Sequence, residues 1–188
     1  MMDNAEGKTG KSRQVDDAMI TQAIEVIAAS PFAKKDPGPN IVNLLRHWHA
    51  RHRIRYAPPL IDSNERGTCI NTDDSKEITV NEEYRGNLKV TVPTLVHEGT
   101  HATWRHKFSS DREAALCRAG EDEYLAQVNE VTVYKWLRDE KGYPKDFELE
   151  LRLKRFEEGT LRAIVMANIT GKDDPHCPVG SPVQKQPR

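Results

Sequence analysis

The chain has few of the residues that staple small folds together: three cysteines, Cys69, Cys117 and Cys177, among 188 residues. An odd number at wide spacing implies neither a disulfide framework nor a CxxC metal knuckle, and a reducing compartment is the reading that follows. Long hydrophobic runs are missing as well. No stretch approaches the roughly 18 apolar residues that a membrane-spanning helix needs. Residues 1–14, MMDNAEGKTGKSRQ, have no apolar core and no cleavage-site pattern. The expected location is therefore the cytoplasm, or the outside of the cell by export without a signal peptide. Charge of one sign does not dominate either. With 28 basic and 29 acidic residues, there is no whole-chain electrostatic case for nucleic acid or a membrane surface.

The length suits one domain burying roughly two-thirds of its unfolded surface. Residues 1–14 read as a disordered tail, 15–170 as a single domain, and 171–188, rich in proline and glycine, as a flexible tail. In 15–30, Met19, Ile20, Ala23, Ile24 and Ile27 recur at helical spacing, and Ser30-Pro31 stops the run. A second helix is predicted over 40–50, with Ile41, Leu44, Leu45 and Trp48 inward. Residues 51–59 alternate like a strand, 60–76 are turn-rich, and 76–84, KEITVNEEY, carries the clearest strand signal. Helices are expected at 91–107, 111–140, 144–158 and 160–168. Helices, a small sheet, then helices argue for an α+β fold.

Residues 91–104, TVPTLVHEGTHATW, place His97, Glu98 and His101 in an otherwise apolar helix entered through Pro93. Residues four apart stack on one helix face, so both imidazoles can point at one ion. Glu98 lies about 100° round the helix, placed to reach a metal-bound water rather than the metal. Zinc takes imidazole nitrogens and, with three protein ligands, keeps a position for water. Histidines and a glutamate buried without partners would cost several kcal/mol, and one bound zinc per chain supplies the partner. Gly99, inside this helix, costs about 1 kcal/mol, tolerable where an adjacent strand packs close.

The segment LVHEGTHA resembles the active-site helix of zincin metallopeptidases. The resemblance implies a zincin-like α+β fold whose small sheet packs on the active-site helix and on a following helix that bears a glutamate. It implies that an extended peptide substrate adds to an edge strand, for which residues 76–84 stand in the matching place. The metzincin continuation is absent, because Trp104 and Lys107 stand where its glycine and third histidine would. The gluzincin pattern takes its third ligand from the next helix, where Glu121, Asp122, Glu123 and Glu130 compete. Glu121 falls about 200° from Glu123, while Glu123 and Glu130 share a face about 10 Å apart. Glu123 opens E-Y-L-A, which resembles the gluzincin E-x-x-A element, and so comes first. Glu130, preceded by asparagine, is the alternative. Where the family usually carries an aspartate that orients a ligand histidine, this chain has Gln127.

The resemblance further implies a zinc-dependent endopeptidase in which Glu98 is the general base and a tyrosine or histidine steadies the oxyanion. Tyr134, Tyr124, Tyr143 and His106 are available for that. Small single-domain enzymes of this layout are similar to secreted bacterial effector and toxin metallopeptidases. Besides a non-proteolytic zinc hydrolase, two other classes stay open. One is a zinc-binding regulatory or interaction protein without turnover. The other is a phosphate- or nucleic-acid-binding module built on RHWHARHRIRY, residues 46–56, since 31–57 carries six basic residues against one acidic. Nothing in the sequence indicates an oligomeric state.

Overall fold

Ile20, Ala23, Ile24 and Ile27, at helical spacing, are all buried, and this stripe carries the first helix into the core. The computed structural model describes residues 6–58, 66–103 and 112–171. In chain order they form α1 (Glu6–Ala29), α2 (Gly38–His49), β1 (Ile54–Ala57), β2 (Gly67–Asn71), β3 (Lys76–Asn81), α3 (Leu88–Thr103), α4 (Arg112–Lys141), α5 (Phe147–Glu157) and α6 (Leu161–Thr170). Short 3-10 turns follow α1 and β3. The fold is mixed α+β, as the pattern predicts. Residues 6–14, expected to be disordered, belong to α1. The tail beyond Gly171 lies outside the described residues.

The sheet has three strands in the order β1-β3-β2. β3 pairs in parallel with β1 and antiparallel with β2. This corrects the expectation that residues 76–84 form an edge strand: both sides of β3 are taken, and residues 82–84 leave the strand as a 3-10 turn. The edges are β1 and β2, and β2 lies within the stretch 60–76 read as turns. Alternation along β2 turns residues 67, 69 and 71 toward α3: a Cβ on Gly67 would meet Thr94 and Glu98 of α3, and Asn71 Nδ2 donates to Ala102 O at 2.9 Å.

One side of the molecule packs α1, α2, the sheet and α3 around Ile20, Ile41, Leu45, Trp48, Ile78 and Leu95, among other buried side chains. On the other side, Leu149 and Leu153 seat α5 against Val131 and Tyr134 of α4. Asp146 caps α5, its side chain accepting from Leu149 N at 3.1 Å. α3 begins at Leu88, so Pro93 lies inside the helix rather than in its first turn. Gly99 meets α2, where an added Cβ would come 2.9 Å from Ile41 Cγ2. A helix, not the expected strand, is thus the close neighbour there.

The strand that does approach closely is β2, through Gly67. An added Cβ would lie 2.7 Å from Thr94 Cγ2, 2.8 Å from Thr79 O and 3.1 Å from Glu98 Cγ. Gly67→Ala must therefore push β2 off α3 or distort the sheet. The expected cost is about 1–3 kcal/mol, read as a lower midpoint in urea unfolding. Among the described residues no helix is long and apolar enough to cross a membrane.

Candidate metal centre

α3 buries Val92, Leu95, Val96 and Ala102 and presents His97 and His101 together on another face. Their ring centroids are 4.8 Å apart with the planes at 70°. α4 runs against that face and brings in Glu123. His101 Nε2 lies 3.1 Å from His97 Nε2 and 3.2 Å from Glu123 Oε2, and His97 Nε2 lies 3.5 Å from the same oxygen. Among the described residues, these three form the one group of histidines, cysteines and acids that could hold a metal ion.

The opposite ring nitrogens are backed by carboxylates. His101 Nδ1 is 3.0 Å from Asp122 Oδ2. An ionised carboxylate can only accept, so the proton sits on Nδ1 and the Nε2 lone pair is left for an ion. Among the described residues nothing hydrogen-bonds the buried His97 Nδ1, and Glu130 Oε2 lies 3.5 Å from it, a charge contact too long for a good hydrogen bond. Glu130 thus lies on the Nδ1 side of His97, away from the three facing donors. It pairs with Arg152 of α5. Gln127 donates to Glu123 Oε1 at 2.8 Å, orienting the third member of the group rather than a histidine. Asn129 Nδ2 donates to Thr100 Oγ1 at 3.1 Å, tying the two helices together beside the site.

Four carboxylates, Glu98, Asp122, Glu123 and Glu130, surround two imidazoles, and the electrostatics follow. Burial opposes charge on His97, but Glu123 and Glu130 outweigh it and hold the imidazole well above its ordinary value. Burial likewise opposes charge on His101, which Asp122 and Glu123 nonetheless raise to about 9. The same contacts overcome burial to hold Glu123 and Glu130 below the carboxylate range. The cluster draws positive charge, which protons or a cation can supply. Glu98 behaves differently. It is 7% exposed, burial pushes its carboxyl up, and among the described residues no hydrogen bond or ion pair engages it. Burial, with Glu98 and Asp122 nearby, pushes the Cys69 thiol up to about 12, so it stays protonated beside the group.

Comparison with family models, curated proteins and solved structures finds no match to this chain. The functional reading rests on the geometry above.

The proposed oxyanion partners fare less well. Tyr134 Oη donates to Glu150 Oε1 at 2.7 Å and accepts from Asp146 N at 3.0 Å. Its hydroxyl is committed to α5, which corrects its assignment to the oxyanion. Tyr124 neighbours Arg162, which Glu121 holds. His106 lies outside the described residues. Tyr134→Phe is expected to lose about 0.5–1.5 kcal/mol of stability in urea unfolding with no change in turnover.

The 46–56 segment is similarly engaged. Arg46 binds Glu25 at 2.9 and 3.0 Å, Arg55 pairs with Glu77, Arg51 bonds His47, and Trp48 is buried. Carboxylates thus already neutralise two of its four arginines. Cys117 is disulfide-bonded, which the odd cysteine count did not signal; Cys69 is free.

Sequence reasoning weighed Asp122 as a ligand and missed it as the partner of His101. The signal was there, an acid next to the favoured ligand, but which histidine it backs depends on how α4 lies across α3. Arg152 carried no signal at all.

Proposed function

We propose that this chain is a zinc-dependent endopeptidase of the gluzincin type, with His97, His101 and Glu123 as ligands and Glu98 as general base. The observation that carries the reading is the donor triangle with an unengaged buried carboxylate on the adjoining residue. Donors held about 2.0–2.1 Å from a tetrahedral zinc stand about 3.3 Å from one another; the three separations here are 3.1, 3.2 and 3.5 Å. Two imidazoles and one carboxylate are a zinc donor set of the catalytic kind, leaving a coordination position open.

When bound, zinc supplies a Lewis acid that polarises a carbonyl and eases the ionisation of water. The remaining work falls to the chain. Glu98 takes a proton from the attacking water onto its carboxylate and returns it to the leaving amine nitrogen. Among the described residues no side chain bonds it, so no partner has to be displaced. Asp122 keeps the proton of His101 on Nδ1, and the Glu130 carboxylate, 3.5 Å from His97 Nδ1, favours the same form there. β2 rather than β3 is the edge to which an extended peptide adds, running directly past Glu98 through Gly67.

The test is metal analysis of wild type beside Glu123→Ala, followed by cleavage profiling on a proteome-derived peptide library. One zinc per chain in wild type, none in the variant, and cleavage only by wild type are expected. Zinc without cleavage replaces this reading with a metal-binding protein that does not turn over.

A further inference from the structure

We infer that Arg152 of α5 is a positioning residue of the metal centre: it holds Glu130 against His97 Nδ1, so a helix carrying no ligand sets how firmly the ion is gripped. The inference rests on the metal reading above and assigns a role to two residues which that reading leaves outside the reaction.

Glu130 is 2% exposed and, among the described residues, has two partners, both on the same oxygen, Oε2: Arg152 Nη1 and, at 3.5 Å, His97 Nδ1. His97 Nδ1 is itself buried and, among the described residues, lacks a hydrogen bond. Glu130 is the acceptor that faces it. The obvious alternative, Gln127, has its amide on Glu123. Glu98 and Glu123 stand close by, so an additional buried carboxylate needs a donor to hold it there. Arg152 supplies it, its Nη1 bonding Oε2, the oxygen that faces His97 Nδ1. A guanidinium only donates, so that oxygen is held in place as an acceptor. His97 must then carry its proton on Nδ1 and turn its Nε2 lone pair toward His101 and Glu123.

The seating of α5 makes the arrangement rigid. Leu149 and Leu153 flank Arg152 in sequence and pack on Val131 and Tyr134, next to Glu130 in α4. Arg138 Nη1 and Tyr134 Oη both bond Glu150. At the far end Arg66, one residue before β2, bonds Asp146 and Glu148 at 2.7 and 2.9 Å. α5 thus reaches from the edge strand to the histidine.

The experiment uses the full chain as wild type, Glu130→Gln, Arg152→Met, Arg152→Lys and the double variant Arg152→Met/Glu130→Gln. Zinc affinity is measured by chelator competition, the visible spectrum is recorded with cobalt in place of zinc, and thermal unfolding is followed in the metal-free forms. Glu130→Gln and Arg152→Met should each weaken zinc binding about 10–100-fold and shift the cobalt bands, with Arg152→Lys recovering part of the loss. The double variant should bind no more weakly than Glu130→Gln alone, because Arg152 acts through Glu130. If Arg152 only braces α5, its variants melt earlier while zinc affinity and the cobalt spectrum match wild type, and the inference falls. Additive losses in the double variant overturn it equally. A wild type that takes up no ion overturns the metal reading and this inference with it, whereas unchanged affinity in the variants overturns the inference alone.

Discussion

Glu98→Gln is expected to lose peptide hydrolysis by about 10²–10⁴-fold, to keep one zinc per chain, and to unfold no earlier than wild type. The three outcomes come from one feature. Glu98 is buried and, among the described residues, nothing hydrogen-bonds or pairs with it. A glutamine of nearly the same shape therefore breaks no contact. It does remove the capacity to take a proton, and that is the whole catalytic role assigned to the side chain. The stability outcome follows from proton linkage. Burial raises the folded pKa of Glu98 above its unfolded value, so the native state binds the proton more tightly. Stability from this group is full below the unfolded pKa and is lost as pH rises through the folded one. At pH 8, well above the unfolded value, that loss is a burden that glutamine does not carry. Thermal unfolding of the metal-free proteins at pH 8 measures it, and cleavage of a peptide library with matched zinc content measures the rest. A variant that cuts like wild type would remove Glu98 from the chemistry. One that melts well below wild type would show that the carboxylate supports the fold.

The two histidines were legible because a helix makes its own geometry: four residues apart means one face, whatever the rest of the chain does. Glu123 was legible only through likeness to a short motif, since its place beside His101 depends on how α4 crosses α3. The helices themselves showed in apolar spacing, except the start of α1, where residues 6–14 have no apolar stripe to read. β2 was hidden for a different reason. Gly67 and Asn71, at its two ends, weaken its strand character, and it exists because β3 offers a partner. β3 was recognised as a strand from its own residues. Its central place was not, because strand order is set by pairing between distant segments and leaves no trace in a local pattern. The same limit hid Arg152 and the role of Asp122, both of which act across a packed interface.

Zinc is expected to raise the melting temperature, and the rise should grow as pH goes from 6.5 to 9. At a free concentration about a thousand times its dissociation constant, an ion that binds only the folded chain contributes about 4 kcal/mol. For a chain of this size that is roughly 8–16 °C. The pH dependence comes from the histidines. His97 is held well above its ordinary value, and His101 is raised to about 9, so in the metal-free protein both are protonated near neutrality. A group whose pKa is raised by folding stabilises fully below its unfolded value, near 6.5. That contribution is lost as pH climbs through the folded value. The metal-free protein therefore weakens between pH 6.5 and 9. The zinc form moves the opposite way, since zinc requires neutral imidazoles and must expel about two protons at pH 7 but fewer at pH 9. Its apparent affinity rises because the metal-free fold gives up the protons that zinc would have to displace, so the gap between the two forms widens over that window. Thermal unfolding with zinc and with chelator at pH 6.5, 7.5 and 8.5 measures that gap directly. His101→Ala should abolish both the zinc shift and its pH slope. A gap that stays flat or narrows with pH would mean that His97 and His101 are not where the ion binds, and the catalytic proposal would lose its metal.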